Sequence, residues 1–374
     1  MTVLQVLGCC SSKFGAVEKF MLQLCRTDNN NKYILLYDEM PDSELFQNEV
    51  IKAGGIIEVL DGRGSKLFSN SLRFYKLLRK YNPDFVHFHF SNQYCVWGMT
   101  AKIFGVKFLY KTIHGCVYRK GRQVQNLHQL GIKQRLLTLD GLIFRMMDKI
   151  ICVSEYVANQ MGKIYGGKYV FNYAYLGTHS PIFISDSQKQ VLRSELNISE
   201  SDVVITSIMF ASKMKGGDIL LESFAKLDSY DNIKLIFIGL DVEHQVTHKL
   251  MRLADELGIS TSIRWIGITD NVQQYLNITD VYVQPSRTEA LSLSAVEALS
   301  YSIPVVGSNV GGLPEVSLIL FSNEDTDDLS KQLRLLITDK ELRDKLGKEG
   351  FGIWSKKMSI DKGVEYYKSL YEMP

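Results

Sequence analysis

The stretch DVYVQPSRTEALSLSAVEALSYSIPVVGS, residues 280–308, reads in order as a strand, a loop, a helix and a second strand. DVYVQ is β-branched and aromatic, and Pro285 ends it by removing a backbone donor. Ser292 and Ser294 can each cap a helix over SLSAVEALS, and IPVV then resumes a buried strand. Strands that are apolar throughout rather than alternating belong to a parallel sheet covered on both faces.

The same alternation extends in both directions. VLQVL, YILLY, IIEVL, FVHFHF, KFLYKTI and KIICVS read as strands in the first half, with helical patterns such as GAVEKFMLQLC and SLRFYKLLRKY between them. After a less patterned region around 177–200 the rhythm restarts with VVITSIMF, IKLIFIG and SIRWIG, leading to the opening stretch. The expected fold is α/β, with two doubly wound, Rossmann-like domains in tandem facing each other across a cleft. The boundaries read from the sequence are 1–178 and 179–355, with a helical segment of about 356–374 able to pack back on the first domain. Ligands in such sheets sit beyond the carboxyl ends of the strands, where helix N-termini attract anions.

Composition narrows the class. The 374 residues are 45% hydrophobic and 22% charged, with no apolar run long enough for a membrane span. The VLGC at 6–9 has the form of a lipoprotein cleavage box, but no basic segment precedes it and its apolar run is short, so it reads as a first buried strand. All six cysteines fall in the first half without C-x-x-C or metal-ligand spacing, which fits buried thiols in a reducing cytosol. Charge is uneven. Residues 1–180 hold 23 Lys and Arg against 13 Asp and Glu, a net +10, whereas the remainder holds 20 against 28, a net −8.

Glu289 and Glu297 are two carboxylates in an otherwise small, apolar stretch. Glu289 falls in the loop before the helix and Glu297 about a turn inside it, with free N–H groups at the helix start between them. Those amides suit a phosphate. Carboxylates would repel one, so they suit hydroxyls, and a ligand with both is a nucleotide sugar.

PSRTEALSLSAVEALSYSIPVVGSNVGGLPEV, residues 285–316, resembles the E-x7-E signature of the retaining GT-B glycosyltransferases of family 4. Further similar segments follow in family order: FGAVEKF, PDFVHFHF, TIHG, IICVSEYV, YLGTHSPIF, MKGGDILLESF, LIFIG and WIG. The resemblance implies transfer of a sugar from a nucleotide diphosphate sugar, a UDP-sugar ahead of a GDP-sugar, to an acceptor hydroxyl, with retained configuration, no cofactor and no metal. It implies that Glu289 contacts the donor sugar, Glu297 holds the ribose, amides near Leu293 meet the phosphates, and Lys215 neutralises the leaving diphosphate. Gly15, Gly311 and Gly312 match glycine loops at the donor, His114 lies by the transferred sugar, and WIG around Trp265 lies near the base. The chain departs from the family in three places. Met209 and Phe210 stand where a Gly-Arg pair is usual, leaving Lys213 as the candidate second cation; Ala290, Leu291 and Ser292 replace a glycine and phenylalanine pattern; and Phe14 replaces a glycine.

The resemblance assigns the acceptor to the basic first half. Arg119, Lys120 and Arg122 follow the His114 loop, and Arg73, Lys76, Arg79 and Lys80 repeat along one helix with Phe74, Leu77 and Leu78 between them. This is an amphipathic basic helix. It suits a cytoplasmic enzyme resting peripherally on the anionic cytoplasmic face of the inner membrane, acting on a lipid-linked or surface glycan precursor such as capsule or lipopolysaccharide. Nucleic acid is not expected, because no binding module accompanies the charge. His87 and His89 share a strand face without a third ligand, so a metal is not expected there. A catalytically silent nucleotide-sugar-binding or partner protein and a sugar-nucleotide epimerase stay open as alternatives, and the oligomeric state is left open.

Overall fold

A computed structural model describes residues 1–9, 14–61, 67–90, 94–116, 118–119, 122–123, 144–165, 167–227 and 232–372, with the backbone alone for 67, 68, 94, 118, 119, 122 and 123. The chain divides into two compact units. The first comprises Met1–Leu176 together with Ile360–Pro374, and the second is Gly177–Ser359.

The first unit alternates β1 (Thr2–Val6), α1 (Ala16–Thr27), β2 (Lys32–Tyr37), α2 (Glu44–Lys52), β3 (Ile56–Val59), α3 (Leu67–Tyr81), β4 (Phe85–Phe88), α4 (Tyr94–Phe104) and β5 (Phe108–Ile113). The short strands β6 (Tyr118–Arg119) and β7 (Arg122–Gln123) pair antiparallel with each other, before β8 (Lys149–Cys152), α5 (Glu155–Tyr165) and β9 (Phe171–Tyr173). The seven-stranded sheet has the order β3-β2-β1-β4-β5-β8-β9, and every pairing in it is parallel. The apolar runs explain this directly. YILLY is buried at every position and so is FVHF, as strands covered on both faces require.

The C-terminal helix, Ile360–Glu372, belongs to this unit. It buries Ile360, Val364, Tyr367, Leu370 and Tyr371, which join Phe20, Tyr33, Phe85 and Tyr110 in one core. The rings interlock: Phe20 meets Tyr367 edge-on at 4.9 Å, and Phe85 meets Tyr371 at 5.3 Å. Each large side chain covered in this way contributes on the order of 2 kcal/mol.

The second unit runs α6 (Asp186–Glu195), β10 (Val203–Ile208), a 3-10 turn at Lys213–Lys215, α7 (Gly217–Phe224), β11 (Ile233–Ile238), α8 (Gln245–Glu256), β12 (Ile263–Ile266), α9 (Val272–Leu276), β13 (Val281–Gln284), α10 (Leu293–Ser300), β14 (Val305–Ser308), β15 (Ile319–Phe321), α11 (Thr326–Thr338) and α12 (Lys340–Ile353). Its six parallel strands lie in the order β12-β11-β10-β13-β14-β15. Alternate residues serve opposite faces. Ile205, Leu235 and Phe237 enter one core, and Val204, Ile236 and Ile238 enter another.

In both sheets the strand order reverses beside the first strand, at β1/β4 and at β10/β13. This is the switch point where ligands of doubly wound sheets bind.

Candidate active site

At the switch point of the second unit, neighbouring β10 and β13 send their following loops out side by side. The first loop closes into the Lys213–Lys215 turn, where the Ser212 hydroxyl accepts from the Met214 N–H at 3.3 Å. The second passes through Ser286–Leu291 into α10, whose N-cap is Ser292, accepting from the Ala295 N–H at 3.3 Å. Such a cap stabilises a helix by about 1 kcal/mol.

Lys215 Nζ donates to Glu289 Oε2 at 2.7 Å, and the side chains are only 18% and 12% exposed. Glu289 also faces the Ser286 hydroxyl at 3.4 Å, which in turn accepts from Gln284 Nε2 at 2.8 Å. Gln284 Oε1 accepts from the Tyr282 and Ser292 hydroxyls at 2.8 and 2.9 Å. Glu289 is therefore tied through buried hydroxyls and an amide to the cap of α10. Lys215 also lies 5.0 Å from the centre of the Phe210 ring.

Arg287 joins the two loops. Its backbone N–H donates to Met214 O at 2.8 Å, its Nη1 donates to Lys213 O at 2.7 Å, and its guanidinium grips both Asp218 oxygens at 2.8 Å. Glu324 receives its Nε. Burial pushes the Asp218 carboxyl up, but the bonds and charge of Arg287 outweigh this and hold it below the usual carboxylate range. Two glycines permit the close approach. At Gly216, with φ +70°, a Cβ would lie 1.9 Å from Pro285 O; at Gly311, with φ +57°, it would lie 1.7 Å from Glu289 O. No L side chain fits either place. The Gly312 N–H then donates to Glu289 O at 3.2 Å.

Glu297 stands half-buried one turn inside α10, and Leu293 is the first residue of that helix. A cation, a carboxylate and the free amides of a helix start thus converge at the ends of two parallel strands, an arrangement suited to a ligand bearing phosphates and hydroxyls.

In the first unit, His114 follows β5. Its Nε2 is 3.0 Å from His89 Nδ1, and its ring stacks on Phe90 at 4.0 Å. Burial, followed by the charge of Lys111, pushes His114 down to about 3.

The sequence model described as glycosyl transferases group 1 matches residues 188–352, and that described as glycosyltransferase family 4 matches residues 17–171. The chain belongs to glycosyltransferase family 4. This glycosyltransferase is 24% identical over 306 residues to N-acetyl-alpha-D-glucosaminyl L-malate synthase of Bacillus anthracis, covering 79% of this chain and 76% of that one. Its fold is that of a Rickettsia africae glycosyltransferase, with a TM-score of 0.83 at 16% identity over 99% of this chain and 97% of that one. It is also that of Anabaena HepE crystallised with UDP, with a TM-score of 0.82 at 17% identity over all of both chains, a protein also solved with UDP-glucose. The α/β GT-B architecture of two parallel sheets with flanking helices is shared with these structures.

The glycosyltransferase brings Lys213, Lys215, Glu289, Leu293, Glu297, Gly311 and Gly312 into one unit, around the ends of β10, β13 and β14. Lys213 is exposed and lends its carbonyl to Arg287. Gly15 caps α1 in an extended conformation, and its N–H donates to Glu18 at 3.1 Å. Arg73 and Lys76 are exposed on α3, whereas Lys80 is paired with Glu58 at 2.7 Å and lies over Tyr81, which removes it from a free basic face. Arg119 and Arg122 lie on β6 and β7, with side chains outside the described residues, as is Lys120 entirely. Trp265 sits within β12 rather than a loop and stacks on Phe237 at 4.9 Å. It is half-buried and packs against the core of the second unit. Among the described residues no cluster of three or more His, Cys, Asp or Glu could hold a metal ion, and no helix is long and apolar enough to cross a membrane.

The sequence reading missed Arg287, Asp218, Gln284 and Ser286. A charged residue directly before Thr288-Glu289, at the end of an apolar strand, was the available signal for Arg287. Nothing in the sequence pairs it with Asp218.

Proposed function

We propose that this glycosyltransferase moves a sugar from a nucleotide diphosphate sugar, a UDP-sugar ahead of a GDP-sugar, to an acceptor hydroxyl with retention of configuration. The observation that carries the reading is the Lys215–Glu289 pair at 2.7 Å beside the start of α10. The UDP and UDP-glucose held by the Anabaena protein support the choice of donor.

In this reading the bond from the anomeric carbon to the diphosphate oxygen breaks, the acceptor oxygen bonds to that carbon from the same face, and the acceptor proton passes to the leaving diphosphate. Lys215 and the amides near Leu293 stabilise the charge growing on the diphosphate. Glu289 accepts from sugar hydroxyls, Glu297 accepts from the ribose, and His114 stabilises the transferred sugar. The acceptor is a lipid-linked or surface glycan precursor at the cytoplasmic face of a membrane. The net +10 of residues 1–180 supports that acceptor, as does the face of α3 that leaves Leu72, Arg73, Tyr75 and Lys76 exposed.

A thermal-shift series with UDP-, GDP-, ADP- and dTDP-sugars tests the donor, because a ligand of the folded state raises its apparent stability. A shift with UDP-sugars that disappears in Glu297→Ala is expected. No shift with any nucleotide sugar would overturn the reading, and a shift without transfer or release of UDP would favour a silent binder.

A further inference from the structure

A chain of hydrogen bonds crosses the first unit from the C-terminal helix to His114. Gln5 on β1 stands at its centre: Nε2 donates to the Tyr371 hydroxyl at 2.8 Å, and Oε1 faces His89 Nε2 at 2.9 Å. His89 Nδ1 then meets His114 Nε2 at 3.0 Å. In the other direction, the Tyr371 hydroxyl lies 2.6 Å from His87 Nδ1, His87 Nε2 lies 2.8 Å from Thr112 Oγ1, and that oxygen reaches the Tyr367 hydroxyl at 2.9 Å. Gln5, His87, His89 and Thr112 are fully buried. Water does not replace a broken link here.

A carboxamide offers donors at its nitrogen and only acceptors at its oxygen. Gln5 therefore gives the chain a direction. With its nitrogen on Tyr371, its oxygen receives the hydrogen of His89 Nε2, and His89 Nδ1 is left as a bare acceptor. The hydrogen between His89 and His114 then belongs to His114 Nε2. Burial holds His87 and His89 well below the usual histidine range, with smaller contributions from the neighbouring histidines and Lys111, so each ring carries one hydrogen. His114 Nδ1 keeps its lone pair, and no protein group among the described residues is bonded to it. The Phe90 ring, stacked 25° from parallel, fixes the plane in which that lone pair points.

We propose that Gln5, acting through His89, is a positioning residue that fixes His114 as its Nε2–H tautomer, so that Nδ1 meets a substrate hydroxyl as an acceptor. His114 then orients that hydroxyl and gives no proton to the leaving group. The substrate half of this statement rests on the proposed function; the tautomer does not, and it is measurable without substrate.

The test is a long-range 1H–15N correlation spectrum of the histidine side chains in the full 15N-labelled chain, with His114 assigned by its loss in His114→Gln. The expected result is a single tautomer with a pyridine-like Nδ1 and a pyrrole-like Nε2. In Gln5→Leu and Tyr371→Phe the His114 nitrogens should move to values averaged between two tautomers. kcat/KM should fall about five- to tenfold, the worth of one hydrogen bond. A hydrogen on Nδ1 in the wild-type protein, or an unchanged tautomer in both variants, overturns the role of Gln5. The wild-type spectrum decides the direction even where a variant does not fold. The expected tautomer with full turnover in His114→Gln would overturn only the contact with substrate.

Discussion

Lys215 and Glu289, 74 residues apart in sequence, form a largely covered ion pair because their loops follow strands that lie side by side. Removing either partner leaves the other with its charge and without its counter-ion. Lys215→Ala and Glu289→Ala should each lower transfer by about 10²-fold or more, the scale of lost electrostatic stabilisation at a reacting group. The double variant should lose less than the product of the two. Kinetics on the four proteins give the coupling directly, and strictly multiplicative losses would show that the pair does not act as a unit.

Arg287 is a clamp whose value lies in its shape. Arg287→Lys keeps the charge but replaces a planar fork with a single ammonium, which cannot hold both Asp218 oxygens and the Lys213 carbonyl together. Donor KM should rise about tenfold, the equivalent of roughly 1.4 kcal/mol, with Asp218→Asn behaving similarly. Steady-state titration of the donor settles the point; an unchanged KM in both variants contradicts the clamp.

Gly311→Ala places a methyl group where Glu289 O now lies, and in a left-handed conformation as well. It should displace the main chain of Glu289 and abolish the donor-induced thermal shift. Gly54→Ala is the control, since Gly54 also has positive φ, +80°, but nothing lies within 4 Å of its added Cβ. That control should show only the backbone strain, about 1 kcal/mol, with the donor shift intact.

Acid should unfold the first unit through its histidines. His87, His89 and His114 are all held neutral in the folded state, with His114 down at about 3. The unfolded chain protonates each near its ordinary value of about 6.5. Below that pH the unfolded state binds more protons, so stability falls as pH falls, by up to about 1.4 kcal/mol per pH unit for each histidine. Trp97 lies in the first unit, and the other two tryptophans, Trp265 and Trp354, lie in the second. Fluorescence melts of a Trp265→Phe/Trp354→Phe variant between pH 7 and pH 5 should show a steep drop for Trp97, reduced in His87→Gln. A flat profile would mean that these rings are charged in the folded state.

Much of the fold was legible because continuous apolar strands leave few alternatives. The opening stretch became β13, α10 and β14, with Ser292 rather than Ser294 as the cap. What escaped were relations between distant residues. Lys80 looked free because the sequence cannot show that β3 brings Glu58 beside it. Trp265 looked like part of a ligand loop, but Phe237 on the neighbouring strand takes its ring face. Gln5 left a trace, a single polar residue inside VLQVL, whose meaning appears only when Tyr371 and His89 are set beside it.

The return of helix Ile360–Glu372 to the first unit has a consequence for synthesis. Strand β9 ends at Tyr173, yet the side chains that complete that core, and the hydroxyls that partner Gln5, His87 and Thr112, emerge close to two hundred residues later. At roughly 5–20 residues per second, a ribosome leaves this face uncovered for about 10–40 s. The second unit, continuous from Gly177 to Ser359, has all its strands and helices out of the tunnel before the first unit has its last. The half made first is finished last, and its open side is where a nascent-chain chaperone would have reason to bind.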